Sequence, residues 1–144
     1  MANPLFTVKA ISKGGRSGGK AALAARDGQG AGPWFHTEHD KALGGSGEGA
    51  NPEQFFALGY ANCFNGAVLF VASQQKIDAS KAVVSVEIGL AKDDTSFALS
   101  AKIGLAVPGL ERAQVKQLLE AAHQICPYSK ATRGNIEVEL VVDE

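Results

Sequence analysis

NPEQFFALGYANCFNGAVLFVASQQKI, residues 51 to 77, is the stretch around which the chain is organised. Asn51 can accept the first free amide hydrogens of a helix, Pro52 suits the first helical position, and Glu53 with Gln54 suits the positive end of the dipole. From Phe55 to Ala72 nearly every residue is apolar and no single stripe stands out, which is the pattern of a helix covered on every side. The expectation is a helix that forms the buried axis of the fold. The run approaches a membrane span in length, but Tyr60, Asn62 and Asn65 interrupt it and no stop-transfer charges flank it, so a membrane reading is rejected. Cys63 stands at its middle.

With 144 residues, 45% hydrophobic and 20% charged, the chain has the balance of one globular domain, residues 1 to 144. A net charge of −1 gives no electrostatic case for nucleic acid or an anionic membrane surface. MANPLFTVKA lacks the basic, apolar and small-residue succession of an export signal, which points to the cytoplasm. In that compartment two cysteines are more commonly free thiols than a structural bridge.

Leu5 to Ile11 alternates as a half-buried strand, followed by the turn Gly14-Gly15-Arg16-Ser17-Gly18-Gly19 and a return strand from Ala21 to Ala25 that Asp27 to Gly32 breaks. Pro33 to Asp40 is a mixed segment without a clear type, and Leu43 to Ala50 is a glycine loop feeding the long helix. Beyond it, Val83 to Leu90 and Phe97 to Val107 alternate with period two around Lys92-Asp93-Asp94-Thr95, a hairpin. Glu111 to Ile125 carries Val115, Leu118, Leu119 and Ala122 at helical spacing and stops at Cys126-Pro127. Asn135 to Val142 closes the chain as a strand. This order is α+β.

The residues with chemical potential are few. Cys126 follows the C-terminal end of a helix, where the dipole disfavours a thiolate, and Cys63 is mid-helix without dipole help. A reactive Cys63 therefore needs an outside cation: Arg16, Arg133 or a lysine. Taken alone, Arg16 reads as a solvated loop arginine and Glu53 as a first-turn helix acid. His36 and His39 have the spacing of a helical metal pair, but Pro33, Trp34 and Thr37 argue against a helix and no further ligands complete a site. His123, three residues before Cys126, is a candidate base whose plain reading is a packed or solvated histidine. The glycine runs lack the ending of a phosphate loop.

Asn51-Pro52-Glu53-Gln54, Gly59-Tyr60, Cys63-Phe64, His123 to Ser129 (HQICPYS) and Ala131 to Ile136 (ATRGNI) together resemble the organic hydroperoxide resistance proteins, the peroxidase branch of the OsmC-like superfamily. The resemblance runs in order from Leu5 to about Val142, and Gly14-Gly15-Arg16 matches the position of that family's active-site arginine. It departs between Ser17 and Ser46, where the usual Asp after the arginine is Ser17 and a glycine-rich insert carries Trp34. The resemblance implies an OsmC-like fold of antiparallel sheets wrapped around a long buried central helix, in an intertwined homodimer. It implies Cys63 as peroxidatic thiolate, Cys126 as resolving thiol, and Arg16 with Glu53 as the pair that positions and activates Cys63. It implies no metal or organic cofactor, an organic hydroperoxide as substrate, and dihydrolipoamide or a lipoylated protein as reductant rather than thioredoxin.

The chemistry so implied is reduction of ROOH to ROH through a sulfenic acid and an intramolecular disulfide. Phe55, Phe56, Phe64 and Phe70 are candidates to line a pocket, with plain core packing the equal alternative. Two other readings stay open: an OsmC-type peroxidase with a different reductant, and a redox-sensing or hydrophobic-ligand binding module.

Overall fold

Glycines in the left-handed region turn the first two strands back on each other: Gly14, Gly15 and Gly18 all have positive φ. In the computed structural model, which describes residues 3–27 and 30–144, they close a hairpin between β1 (Ala10–Lys13) and β2 (Gly19–Leu23), antiparallel with Lys13 opposite Lys20. A side chain on Gly19 would collide with the carbonyls of Gly15 and Lys13, so that strand has to begin with glycine. The third strand, β3 (Phe35–Thr37), pairs with the other side of β2. Thr37 donates to the Gly15 carbonyl at 2.8 Å and Ser17 to Glu38 Oε1 at 2.8 Å, which ties the Arg16 turn to the end of β3. A single 3-10 turn, Lys41–Leu43, follows, capped by Asp40.

These strands belong to the first of two compact units, residues 1–52 and 53–144. The expected strand over Leu5 to Ile11 is corrected: the ladder begins at Ala10, and Leu5, Phe6 and Val8 are 100%, 80% and 80% exposed. Its partner explains this, because β2 leaves the ladder after the Ala24 N–H bonds the Lys9 carbonyl at 2.8 Å and the chain turns at Arg26–Asp27. Part of the expected break from Asp27 to Gly32, residues 28 and 29, lies outside the described residues.

In the second unit α1 (Pro52–Gln74) is followed by the hairpin of β4 (Val83–Lys92) and β5 (Phe97–Ala106), in register from Val83 opposite Ala106 to Lys92 opposite Phe97. The Asp93 carboxylate accepts from the N–H groups of Thr95 and Ser96 and so builds the turn between them. Then come α2 (Arg112–Ile125), α3 (Pro127–Thr132) and β6 (Glu137–Val142). The expectation of antiparallel sheets is corrected at one place: β6 lies parallel to β5. The two helices between them supply the crossover that a parallel pair needs. The core is common to α1, β5 and α2, with Tyr60, Phe64, Val68, Ile103, Leu105, Leu118 and Ala122 fully covered.

That core covers only one side of α1. Leu58 and Phe70 are 70% and 58% exposed and Leu69 is also exposed, so the helix is not covered all round within one chain. Length and hydropathy alone would let α1 cross a membrane, a test that the core helix of a globular protein also passes. The two sides predict different responses. Leu118→Ala, which empties a fully buried position, should cost about 2–5 kcal/mol in urea unfolding. Leu58→Ala should cost under about 1 kcal/mol if one chain is the folded unit, and a loss as large as that at Leu118, growing with dilution, would mean that a second chain covers Leu58.

Candidate active site

Residues Phe56, Tyr60, Cys63, Phe64 and Ala67 recur at three and four along α1 and therefore form one stripe. Cys63 is thus presented on the side of the helix that faces the core, and it packs there half-buried. Opposite it is the joint between α2 and α3. Cys126 caps both, closing the C-terminal end of α2 and opening the N-terminal end of α3; it is fully buried and leaves the helical path with φ −62° and ψ 125° because Pro127 follows. The two sulfurs lie 3.7 Å apart, both as free thiols. A disulfide bond would bring them to about 2.05 Å.

Burial pushes the Cys63 thiol above its ordinary value, the backbone N–H of Tyr128 pulls it down, and the neighbouring Cys126 thiol adds to the upward push. Taken together the thiol is held protonated, and a thiolate at neutral pH needs positive charge brought to it. The Tyr128 amide is one feature that sequence reasoning missed. Its signal was Cys126-Pro127: a proline at the first helical position starts a new helix, and the amides just after it are free to point at the sulfur.

A second missed feature is the polar cluster behind Cys126. The Tyr60 hydroxyl lies 2.9 Å from Ser129 Oγ and 3.1 Å from Thr132 Oγ1, and His123 Nδ1 lies 2.9 Å from Ser129 Oγ. Burial, and secondly the charge of Arg133, hold His123 below the ordinary histidine range. Arg133 Nη2 donates to the His123 carbonyl at 2.7 Å, which fixes it at the end of α2. Gly59 is needed beside this cluster, since a Cβ there would stand 2.9 Å from the Tyr128 hydroxyl.

The Tyr128 ring packs against Tyr60 and Phe56 at 5.7 and 6.2 Å between centroids. With Leu99, Ala131 and Ile136 it lines an open recess of about 410 Å³. Of the aromatic residues expected at a pocket, Phe56 lines this recess, Phe64 is pure core, Phe55 is half-buried and Phe70 is exposed.

Glu53 stands in the first turn of α1, ten residues before Cys63, or about 15 Å along the axis at a rise of about 1.5 Å per residue. Arg16 lies half-buried in the β1–β2 turn of the first unit. His36 is on β3 and His39 in the loop that follows it, so the helical spacing required for a shared metal is absent. Among the described residues no group of three or more His, Cys, Asp or Glu is arranged to hold a metal ion.

Comparison with known proteins places this geometry in context. A family model described as OsmC-like protein matches residues 45–141. The chain is 40% identical over 151 aligned residues to an organic hydroperoxide resistance protein of Xanthomonas axonopodis pv. citri, covering 99% of both. It is similar in structure to the organic hydroperoxide resistance protein OhrB of Bacillus subtilis, with a TM-score of 0.80, 38% identity, and coverage of 97% and 100%. A crystal structure of an organic hydroperoxide resistance protein from Legionella pneumophila superimposes with a TM-score of 0.86 at 35% identity, over 99% of this chain and all of that one.

The sulfur geometry makes a prediction independent of any substrate. One equivalent of diamide should convert both thiols to a Cys63–Cys126 disulfide, read by peptide mapping and by the loss of both titratable thiols. Two thiols still free, or only dimers linked between chains, would mean that the pair is not held at bonding range in solution.

Proposed function

We propose that this chain, which belongs to the organic hydroperoxide resistance proteins of the OsmC-like family, is a cysteine-based peroxidase that reduces organic hydroperoxides to alcohols. The observation that carries the reading is the pair of free sulfurs 3.7 Å apart, one half-buried and one fully buried. The Cys63 thiolate attacks the terminal oxygen of ROOH, the O–O bond breaks, and the departing alkoxide takes a proton to leave as ROH. Cys63 is left as a sulfenic acid. The Cys126 thiol attacks that sulfur, a disulfide forms and water leaves. A dithiol of the dihydrolipoyl class then returns both thiols and is itself oxidised. The cycle uses no metal or organic cofactor, and it is assigned to the cytoplasm, where thiols are kept reduced.

Arg16 and Glu53 are assigned as the activating pair on the strength of the family motif. The upward push on the Cys63 thiol supports the need for such a cation, and a guanidinium held by a carboxylate meets it. Since Glu53 and Cys63 are about 15 Å apart along one helix, Glu53 would serve the Cys63 of a second chain. That makes the protein a two-fold dimer with shared sites, and the exposed side of α1 supports this arrangement. The recess beside Tyr128 would take the organic group of the substrate.

Steady-state turnover of cumene hydroperoxide with dihydrolipoamide, beside Cys63→Ser, tests the reading directly. Cys63→Ser should consume no peroxide, while Cys126→Ser should keep one burst and lose cycling; a Cys126→Ser protein that cycles normally would remove the resolving role. Arg16→Ala should raise the Cys63 pKa, so that the burst slows at neutral pH and recovers as the pH rises and the thiolate fills. An unchanged thiolate titration would leave Arg16 as a loop residue. Glu53→Ala and Cys63→Ser proteins, unfolded and refolded together, should regain about a quarter of wild-type activity for random pairing of independent sites. Heterodimers as inactive as either parent would rule out shared sites.

A further inference from the structure

The polar cluster behind Cys126 has a proton order that can be worked out from its acceptors. Thr132 Oγ1 lies 3.1 Å from the Ser129 carbonyl, which can only accept, so the single Thr132 proton goes there. The Tyr60 hydroxyl, 3.1 Å from Thr132 Oγ1, must then donate to it. Having given its own proton, Tyr60 accepts from Ser129 Oγ at 2.9 Å. Ser129 in turn accepts from His123 Nδ1 at 2.9 Å. Protons thus run one way, from His123 through Ser129 and Tyr60 to Thr132 and back to the backbone of Ser129. The order requires the imidazole proton on Nδ1.

The members of this relay sit on the segments that hold the sulfurs. Tyr60 is one turn before Cys63 on α1, Ser129 directly follows Tyr128 and is three residues after Cys126, and His123 is three residues before Cys126. We infer that Tyr60, Ser129 and His123 are positioning residues, whose hydrogen-bond relay sets where the Cys126 thiol and the Tyr128 N–H stand relative to the Cys63 sulfur. Apolar packing alone tolerates sliding, whereas a directed hydrogen bond loses strength within a few tenths of an ångström. Tyr60 and Ser129 are both fully buried, so an unmade bond there has no water to replace it. Burial, and secondly the charge of Arg133, hold His123 below its ordinary range. The inference rests on reading Cys63 and Cys126 as the reactive pair.

Two measurements test it. Nitrogen-detected NMR of the wild-type protein at pH 7 to 8 should find His123 as the Nδ1–H tautomer; the opposite tautomer would overturn the relay whatever the variants do. The second follows disulfide closure driven by diamide, together with the thiolate titration of Cys63. Ser129→Ala, Tyr60→Phe and His123→Leu should slow closure by roughly tenfold to a hundredfold and raise the Cys63 pKa. His123→Asn, whose amide can occupy the place of Nδ1–H, should return close to the wild-type rate. Equal rates for His123→Leu and His123→Asn would overturn the positioning role, since a residue that only fills space would not tell them apart. Because diamide drives the closure, a wild-type protein inert to peroxide would overturn the peroxidase reading, while the ordering of the variants would still decide this one.

Discussion

A helix with apolar residues on every side has to be covered on every side, and the second unit of this chain follows from that constraint. Leaving a large apolar side chain in water forgoes about 1.5–3 kcal/mol of burial. The hairpin β4–β5 and helix α2 meet the demand for Tyr60, Phe64, Val68 and Ala72, and they do so by bringing the end of α2 against the middle of α1. The meeting of the sulfurs is a consequence of that packing. Leu58, Leu69 and Phe70 remain exposed on the other side. An apolar side of that size on a central helix is the mark of a surface that another protein surface covers, and a second copy of the same helix is the partner we propose.

The same packing sets the electrostatic problem of the site. Bringing Cys63 into the core favours its neutral form, and placing a second thiol beside it favours it further. One amide, from Tyr128, works in the opposite direction. A single neutral donor is weak against desolvation, so the architecture makes a thiol pair that is close and protected but not by itself reactive. Reactivity is then a separable property, one that needs charge from elsewhere. That separation suits the cycle we propose, in which the buried Cys126 thiol waits for a sulfenic acid to form on Cys63.

Much of this was legible in the sequence because its patterns were long. The β4–β5 hairpin and α2 repeat theirs far enough to be read, and the 23-residue α1 shows itself by its long apolar run and begins at Pro52 as its cap chemistry requires. The same patterns put the two cysteines at a helix middle and a helix end, places that do not activate a thiol, and only the family resemblance singled them out as a pair. What escaped was short or depended on pairing. Phe35–Thr37 is too brief to show alternation, and Leu5 to Lys9 alternates well but has no neighbouring rung after Ala24. The parallel direction of β6 is set by α2 and α3 and leaves no trace in its own residues. The Tyr60–Ser129–His123 cluster joins positions 69 and 6 residues apart, so no local pattern could announce it.

The brevity of α3 makes that cluster more than an ornament of the core. A helix of six residues is far below the length at which helical hydrogen bonds sustain themselves in water. Its place is therefore decided by what it is tied to: Tyr60 on one side, His123 on the other, and Arg133 closing on the His123 carbonyl. The segment between Cys126 and Thr132 has no independent rigidity to lend the Cys126 sulfur. Proline at 127 prevents it from simply continuing α2. The polar contacts thus do for this short segment what apolar packing does for α1, and the sulfur pair stands where these two kinds of restraint meet.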